Sequence, residues 1–147
     1  MTSWLLDTNV ISELKKLAPN PNVLTWVGER ARTALYTSSV NIAEIRFGII
    51  SQSEPIRRQR LQAWLNELVR PLFEDRVLEA AEDSLLQWRV LVDRAGRNRQ
   101  PAPSADLLIA AIASINGLPV ATRDVLPFVA AGVPVLNPWT GERFNGA

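Results

Sequence analysis

The chain has 147 residues, of which 47% are hydrophobic and 21% charged, and its formal net charge is +1. This composition excludes a disordered chain and fits one globular domain spanning 1–147, large enough to bury a core of its own. The absence of both His and Cys excludes Ser-His-Asp triads, Cys–His nucleophiles, disulfides and the usual zinc sites. Carboxylates, Lys, hydroxyls and hard metal ions held by oxygen remain for catalysis.

No apolar run approaches the ~20 residues that cross a bilayer, and no basic region precedes an apolar segment at the N-terminus. We therefore expect a cytoplasmic protein without contact to a membrane. Among the 16 basic residues only Lys15 and Lys16 are Lys. Arg matches phosphate geometry, but a compositional bias towards Arg explains the same count, and the net charge gives no support for strong nucleic-acid binding.

Strands and helices alternate in the first half of the chain. Apolar runs and helical periodicity predict strands at 4–6 and 34–38 and helices at 9–17, 23–31 and 40–51. Asn22 is the expected N-cap of the second helix.

The third of these helices has a charged residue close to its apolar side. Its buried stripe is predicted to consist of Val40, Ala43, Phe47 and Ile50. Glu44 lies beside that stripe, where its carboxylate is partly desolvated and needs a partner.

Two long helices, 55–69 and 79–95, come next and are expected to pair as a projecting hairpin. Gly96 is the expected C-cap of the second one. The inward face of the first is predicted to consist of Leu61, Leu65 and Leu68.

A basic loop, 94–101, leads into the last part of the chain. Pro101 and Pro103 prevent further helix there, and Ser104 is the expected N-cap of a helix at 105–116. That helix is nearly all apolar, as is typical of a helix buried on most sides. Strands at 119–122 and 133–136 and a helical turn at 127–130 follow it. Strands that alternate with helices in this way predict an α/β fold with a parallel sheet flanked by helices.

Four carboxylates occupy positions where such a fold presents chemistry. Asp7 and Asp124 follow predicted strands, Asp106 opens the buried helix, and Glu44 lies beside an apolar stripe. Because ligands bind outside the carboxyl ends of the strands in open α/β sheets, all four can reach one site.

Each acid also has a purely structural interpretation. Asp7 and Asp106 can serve as a helix cap or as partners of a helix dipole. Glu44 can pair with Arg46 or a backbone amide, and Asp124 can form an Asx turn. Four neighbouring carboxylates, however, raise one another's pKa unless a cation is present. Mg²⁺ or Mn²⁺ suits such oxygen ligands and can activate water for phosphoryl displacement.

Four segments, in order and at compatible spacing, resemble the motifs of the PIN domain ribonucleases. The segment 5–13 (LLDTNVISE) resembles their opening motif, 38–48 (SSVNIAEIRFG) the second and 104–111 (SADLLIAA) the third. The segment 121–124 (ATRD), with 137–139 (NPW), is similar to the FitB/VapC-type branch. The resemblance extends over nearly the whole chain.

The resemblance implies a three-layer α/β/α PIN-like domain with a central parallel sheet flanked by helices. It implies a Mg²⁺- or Mn²⁺-dependent endoribonuclease that hydrolyses RNA phosphodiester bonds by metal-activated water. Such a protein would be the toxin of a type II toxin–antitoxin pair. The implied partners are the RNA substrate, a second copy in a homodimer, and a small cognate antitoxin that also binds operator DNA.

On matching positions the resemblance assigns the catalytic and metal-binding roles to Asp7, Glu44, Asp106 and Asp124. Thr8 and Asn9 would make polar contacts, including contacts to substrate. Many relatives have Asn where Asp124 stands and an acid three residues later. Here Pro127 fills that later position, so the role of the fourth acid falls to Asp124.

Several basic residues are candidates for substrate binding. Arg97 and Arg99 can steer RNA phosphates towards the acids, or can belong to a merely solvated loop. Arg123 can hold phosphate or pair with an acid. The five Trp side chains are expected to pack in the core or at interfaces, and stacking of one of them on a base is the less favoured alternative.

Two other functions remain open at this point. A non-catalytic PIN-like module would act only through antitoxin binding and operator regulation. A phosphohydrolase would use Asp7 as its nucleophile, but the second Asp that the haloacid dehalogenase-like phosphatases carry two residues later is Asn9 here.

Overall fold

The computed structural model describes residues 1–99 and 104–147. The predicted helix break at Pro101 and Pro103 lies outside these ranges. Within them, no helix combines the length and the apolar character that a bilayer crossing needs.

A mostly parallel sheet forms the centre of the fold. Its strands in the described ranges are β1 (Trp4–Leu6), β2 (Leu35–Ser38), β3 (Val77–Leu78), β4 (Val120–Ala121), β5 (Val135–Leu136) and β6 (Arg143–Phe144). They lie in the order β3-β2-β1-β4-β5-β6, and β6 runs antiparallel to its neighbour β5. β1 lies in the middle and pairs in parallel with both β2 and β4. The carboxyl ends of these three strands therefore meet at one edge of the sheet.

Helices connect the parallel strands, as crossover connections require. In the described ranges they are α1 (Thr8–Glu13), α2 (Pro21–Gly28), α3 (Ser39–Ile50), α4 (Pro55–Trp64), α5 (Arg70–Phe73), α6 (Glu82–Arg97), α7 (Ser104–Ile115) and α8 (Leu126–Ala130). A 3₁₀ turn, Arg32–Ala34, precedes β2, and a π-helical turn, Leu65–Val69, joins α4 to α5.

The sheet separates two apolar cores. Trp4 and Leu6 of β1 belong to one core and Leu5 to the other, because successive side chains of a strand point to opposite faces. Helices α1 to α5 supply the first core, and α6, α7 and α8 supply the second. The predicted three-layer α/β/α arrangement is confirmed, with an antiparallel edge strand added to the parallel sheet.

The first two helices differ from the predictions. α1 ends at Glu13, four residues early, because the buried Glu13 carboxylate holds the following chain in a turn. It accepts a hydrogen bond from the backbone N of Asn20 at 2.9 Å and pairs with Lys16 at 2.8 Å. Asn20 rather than Asn22 is the N-cap of α2, since the Asn20 side chain accepts from the backbone N of Asn22 at 2.9 Å.

The predicted buried stripe of α3 is wrong. Phe47 is 68% exposed and Ile50 70% exposed, and Ala43 is exposed too. The buried residues of α3 are Asn41, Ile42, Ile45 and Ile49. Both sets recur at helical spacing, so periodicity alone fits either of them, and packing against the sheet selects the set that contains three Ile.

The segment predicted as one helix, 55–69, contains the π-helical turn in its second half. Such a turn inserts a residue and rotates the side chains that follow it. As a result Val69 is buried, whereas Leu68, expected to face inward, is 64% exposed. Leu65 is fully buried as predicted, and Leu61 is half-buried.

The predicted hairpin of two long helices is wrong as well. α6 packs mainly on α7, not on α4. It also extends through Gly96, which is therefore not its cap. Ser104 is the first residue of α7 rather than its N-cap. The strands β3 and β6 were not predicted, because they are only partly buried and no apolar run marks them, unlike the equally short but buried β4 and β5.

The helix predicted to be buried on most sides is confirmed in α7. Its buried residues are Leu107, Ile109, Ala110, Ala111, Ile112 and Ala113. The short helical turn predicted after β4 is also confirmed, as α8.

We expect Phe73→Ala to lower the free energy of unfolding by about 3–5 kcal/mol, because Phe73 is fully buried in the first core and its truncation leaves a cavity. Phe47→Ala, at the exposed position of α3, is the matched control and should change it by less than about 0.5 kcal/mol. Urea unfolding measures both. Equal losses for the two variants would contradict this assignment of the core.

Candidate active site

Asp7 lies where β1 ends and α1 begins, and it is only 5% exposed. The structural interpretation from sequence is confirmed, since Asp7 is the N-cap of α1 and its Oδ1 accepts a hydrogen bond from the backbone N of Thr8 at 2.8 Å. Oδ1 also accepts from Nδ2 of Asn41 at 3.0 Å, and Oδ2 accepts from Oγ1 of Thr122 at 2.7 Å. Both carboxylate oxygens are thus fixed by donors from α1, from α3 and from the residue after β4.

Burial raises the pKa of Asp7 above its ordinary value, and the nearby charge of Asp124 raises it further. The hydrogen bonds from Thr122, Thr8 and Asn41 favour the ionised form and oppose this rise in the pKa. The net direction is upward, which means that the site holds a carboxylate at a cost.

Glu44 lies on α3 and is half-buried. Its Oε2 accepts a hydrogen bond from Oγ1 of Thr8 at 2.8 Å. Burial raises the pKa of Glu44, the Thr8 hydrogen bond opposes this, and the charge of Asp7 adds to the rise. Within the described ranges Glu44 has no ion pair with Arg46, so that structural alternative is not observed.

Asp106 lies in the first turn of α7, and its pKa is affected by the charges of all three other acids. Burial raises the pKa of Asp106 to about 6, and the charges of Asp7, Asp124 and Glu44 contribute to this in that order. The fold therefore brings the four predicted carboxylates, Asp7, Glu44, Asp106 and Asp124, into one acidic cluster. In the described part of the chain, no three of them stand close enough together to form a compact ligand set.

Asp124 is exposed and follows β4. Its backbone N donates to Oγ1 of Thr122 at 3.1 Å. The turn is thus closed by the Thr122 hydroxyl and not by an Asx turn of Asp124, which leaves the Asp124 carboxylate available to the cluster.

Thr8 and Asn9 form hydrogen bonds with the residues that surround the acids. Thr8 links Asn41 to Glu44 through its hydroxyl. Asn9 donates from Nδ2 to Oγ1 of Thr122 at 3.2 Å, and its Oδ1 accepts from the backbone N of Arg123 at 3.2 Å. Both residues are therefore next to the acids, as predicted, and both are engaged in contacts within the protein.

Asn41 and Thr122 were not identified from the sequence, although both touch Asp7. Each left a signal. Asn41 is a polar residue three positions after Ser38, the spacing at which a helix N-cap contacts the backbone. Thr122 is a hydroxyl at the end of a predicted strand, directly before the Arg123-Asp124 pair.

Arg123 is exposed, and its guanidinium lies 5.1 Å from the ring centroid of Trp139. No carboxylate of the described residues lies within ion-pair distance of it, so the predicted alternative of a direct pair with an acid is not observed. Its positive charge nevertheless lowers the pKa of Glu13, after the larger effects of Lys16 and Asn20. Arg123 is thus a cation held by an aromatic ring at the border of the acidic cluster.

The predicted basic loop is less available. Arg97 pairs with Asp93 at 2.7 Å, and Arg94 donates from Nη2 to the carbonyl of Ala131 at 2.9 Å. Arg99 is exposed and has a positive φ of 53°. These contacts favour the interpretation as a solvated surface segment.

A cavity of about 390 Å³ lies at the opposite edge of the sheet, lined in part by Trp4, Pro119 and Pro134. These residues begin β1 or directly precede β4 and β5. The cavity shares no residue with the acidic cluster. The cavity is therefore not part of the predicted active site.

We expect the metal-free protein to be more stable at about pH 5 than at about pH 7. The pKa of Asp106 is about 6 in the folded chain, against an ordinary value of 3.8 for an Asp side chain. Between these values the folded chain holds a proton that the unfolded chain has lost, so stability falls as pH rises through this window. Thermal melting in a chelator measures the effect. Asp106→Asn should raise Tm at about pH 7 and flatten the profile, while Asp75→Asn, an exposed acid outside the cluster, should leave it unchanged. An unaltered profile in Asp106→Asn would contradict the raised pKa of Asp106.

Comparisons with known proteins place this geometry in a family. The sequence matches the PIN domain family over residues 4–127. It is 40% identical to the VapC ribonuclease Y4jK of Sinorhizobium fredii, over 92% of this chain and 96% of the relative. It is 36% identical to the toxin FitB of Neisseria gonorrhoeae, over 92% of this chain and 97% of that relative.

Solved structures of related proteins have the same fold as this chain. The crystal structure of FitAcB from Neisseria gonorrhoeae has a TM-score of 0.87 at 35% identity and covers 92% of this chain and 98% of that one. The structure of FitAB bound to an IR36 DNA fragment has a TM-score of 0.86 at 34% identity, covering 92% of this chain and 95% of that one. With its motifs, its fold and these relatives, the chain belongs to the PIN domain family, in the branch that contains FitB and the VapC ribonucleases.

Proposed function

We propose that the chain is a metal-dependent endoribonuclease and the toxin of a type II toxin–antitoxin pair. The observation that carries the proposal is the acidic cluster, built around a buried Asp7 in a PIN domain that has neither His nor Cys. The relatives named as a VapC ribonuclease and as the toxin FitB support it. The proposed site of action is the cytoplasm, where cellular RNA is found.

The donor chemistry of the acidic cluster suits Mg²⁺ or Mn²⁺, since all four proposed ligands present carboxylate oxygens, although no three of them form a compact set in the described residues. Burial raises the pKa of Asp106 most, and the charges of the other three acids add to the rise, which a bound cation would offset. The proposed ligands are Asp7, Glu44, Asp106 and Asp124. When bound, such an ion supplies activation of water and stabilisation of charge on the phosphate.

The chain's own residues prepare the site in different ways. Three donors fix the Asp7 carboxylate and oppose the rise in its pKa, and the Thr8 hydroxyl orients Glu44. Asp106 and Asp124 contribute further negative charge from α7 and from the turn after β4. The hydrogen bonds to Asp7 and Glu44 favour the ionised forms of these two side chains, and the ionised form is the one that binds a cation.

For the RNA we propose a contact at Arg123, on the Trp139 side of the cluster. Stacking on the ring orders the guanidinium, and its donors match a phosphate. Asn9 contacts the backbone N of Arg123 and Thr8 contacts Glu44, so both are proposed as further polar contacts to the RNA. Arg97 and Arg99 are proposed only as more distant charges that attract the RNA backbone, because Arg97 already pairs with Asp93.

The proposed partners follow from the branch of the family. They are a second copy of the chain in a homodimer, and a small cognate antitoxin that also binds operator DNA. The solved FitAB complex, which includes a DNA fragment, supports such an assembly.

Purified protein should cleave single-stranded RNA in the presence of Mg²⁺ or Mn²⁺, and a chelator should stop the cleavage. Asp7→Asn and Asp106→Asn should each lower kcat by about 100-fold or more, because each removes charge from the site where negative oxygens are stabilised. Gel analysis of a labelled RNA measures the rate. Asp75→Asn, an exposed acid away from the cluster, is the control and should cleave like the wild type.

Two results would speak against this function. Unchanged cleavage in both Asn variants would place the site elsewhere. A wild-type protein that binds its antitoxin but never cleaves RNA would favour the non-catalytic PIN-like module that regulates its operator through the antitoxin.

Arg123→Ala should raise KM for RNA by about 5- to 30-fold with little change in kcat, because a charged hydrogen bond to phosphate contributes about 1.5–3 kcal/mol. Arg143→Ala is the matched control, since Arg143 is an exposed Arg of β6 that lines the cavity at the other edge of the sheet. Steady-state kinetics at two salt concentrations would separate them. Equal effects of the two variants would reduce the role of Arg123 to that of general surface charge.

A further inference from the structure

Buried polar side chains are concentrated around Asp7. In the described ranges, most of the buried polar residues lie at this edge of the sheet, and besides Asp7 they are Thr37, Ser38, Asn41 and Thr122. A buried polar group needs a hydrogen-bond partner, so such a concentration indicates an organised network.

Asn41 is fully buried at the start of α3, and each polar atom of its side chain has a partner. Its Nδ2 donates to Oδ1 of Asp7 at 3.0 Å and to Oγ1 of Thr8 at 3.0 Å. Its Oδ1 accepts from Oγ of Ser38 at 2.5 Å. The two N–H groups of the Asn41 amide thus bind two consecutive residues, one to Asp7 and the other to Thr8.

These contacts fix the direction of the next hydrogen bond. Because Oγ1 of Thr8 accepts from Asn41, its own hydrogen is free to be donated to Oε2 of Glu44, at 2.8 Å. The hydrogen bonds therefore run from Ser38 to Asn41, from Asn41 to Thr8 and Asp7, and from Thr8 to Glu44. Two carboxylates on different elements receive their orientation from a single amide.

No other side chain of this size supplies the same pattern. A carboxamide offers two donors and an acceptor in one plane, whereas Asp offers only acceptors when ionised, and Ser or Thr a single donor. Asn41 binds both Asp7 and Thr8 because its Nδ2 carries two hydrogens and donates one to each residue. The chemistry at this position is therefore specific.

We propose that Asn41 is a positioning residue for the reaction, one that sets the mutual geometry of Asp7 and Glu44 without touching ion or substrate. The inference rests on the proposed function in one respect, namely that these two acids bind a divalent cation. Polar groups that orient metal ligands typically change metal affinity by about 10–100-fold when they are lost.

A purely structural role is separated from this one by a matched control. Thr37 is equally buried, at the end of β2, and its Oγ1 donates to the carbonyl of Leu6 at 3.0 Å. This hydrogen bond belongs to the same sheet edge but reaches no acid. Thr37→Val removes a buried hydrogen bond of the fold while leaving the acidic cluster intact.

The test compares Asn41→Ala with Thr37→Val by urea unfolding, by Mn²⁺ titration calorimetry and by RNA cleavage. Both variants should be less stable than the wild type. Only Asn41→Ala should weaken Mn²⁺ binding by about 10-fold or more. It should also lower kcat at saturating RNA while KM for RNA changes by less than about threefold.

Thr8 supplies a second variant pair that does not depend on the folding of Asn41→Ala. Thr8→Val breaks the link to Glu44 and should weaken Mn²⁺ binding, whereas Thr8→Ser, which keeps the hydroxyl, should bind Mn²⁺ more tightly than Thr8→Val. If Thr8 relays the effect of Asn41, the losses from Asn41→Ala and Thr8→Val should be less than additive in the double variant.

The outcomes distinguish this inference from the proposed function. Wild-type protein that binds Mn²⁺ and cleaves RNA, together with Asn41→Ala protein that does both equally well, would overturn the role of Asn41 alone. Equal losses of Mn²⁺ affinity in Asn41→Ala and Thr37→Val would do the same. Wild-type protein that binds no Mn²⁺ would overturn both the proposed function and this inference.

Discussion

The burial of the Asp7 carboxylate is the constraint on which the sheet edge that carries the acidic cluster depends. An ionised carboxylate that leaves water must be hydrogen-bonded, or it takes up a proton. Its donors come from the backbone of α1, from Asn41 in α3 and from Thr122 after β4. Because these segments are far apart in sequence, the carboxylate is satisfied only when β1, β2 and β4 are paired and α3 is docked. One side chain thus links local chemistry to the completed tertiary structure.

The same edge also accumulates repulsion. Beyond the effect of burial, Asp7, Asp124 and Glu44 all raise the pKa of Asp106, and among the described residues no Lys or Arg offsets this rise. The fold tolerates this because the two apolar cores on either side of the sheet supply the net stability. Repulsion of this kind reduces stability, yet the same concentration of negative charge attracts cations. The stability of the chain and its proposed chemistry are therefore two consequences of one charge arrangement.

Sequence patterns predicted the order of the main strands and helices, because long apolar runs and their punctuation by Pro, Asn and Gly are local properties. They also predicted the acids, since a charged residue at a strand end or in an apolar helix is conspicuous. The side of α3 that is buried could not be predicted, because two apolar stripes fit the same periodicity and only the packing on the sheet decides between them. The displacement of Leu68 by a π-helical turn is equally a tertiary effect. The roles of Asn41 and Thr122 depend on Asp7, which is more than 30 residues distant from each of them, and no local pattern contains such a contact.

The position of Asp124 depends on the hydrogen bonds of the Thr122 hydroxyl. Its hydroxyl donates to Asp7 and accepts from the backbone N of Asp124, so one oxygen sets both the orientation of Asp7 and the path of the turn that carries Asp124. Three residues later the chain has entered α8, where Pro127 lies in the first turn. The turn closed by Thr122 brings the charge of Asp124 close enough to raise the pKa of both Asp7 and Asp106. An acid at 124 is therefore in electrostatic contact with the cluster without any contribution from position 127, which is the physical basis for assigning the fourth role to Asp124.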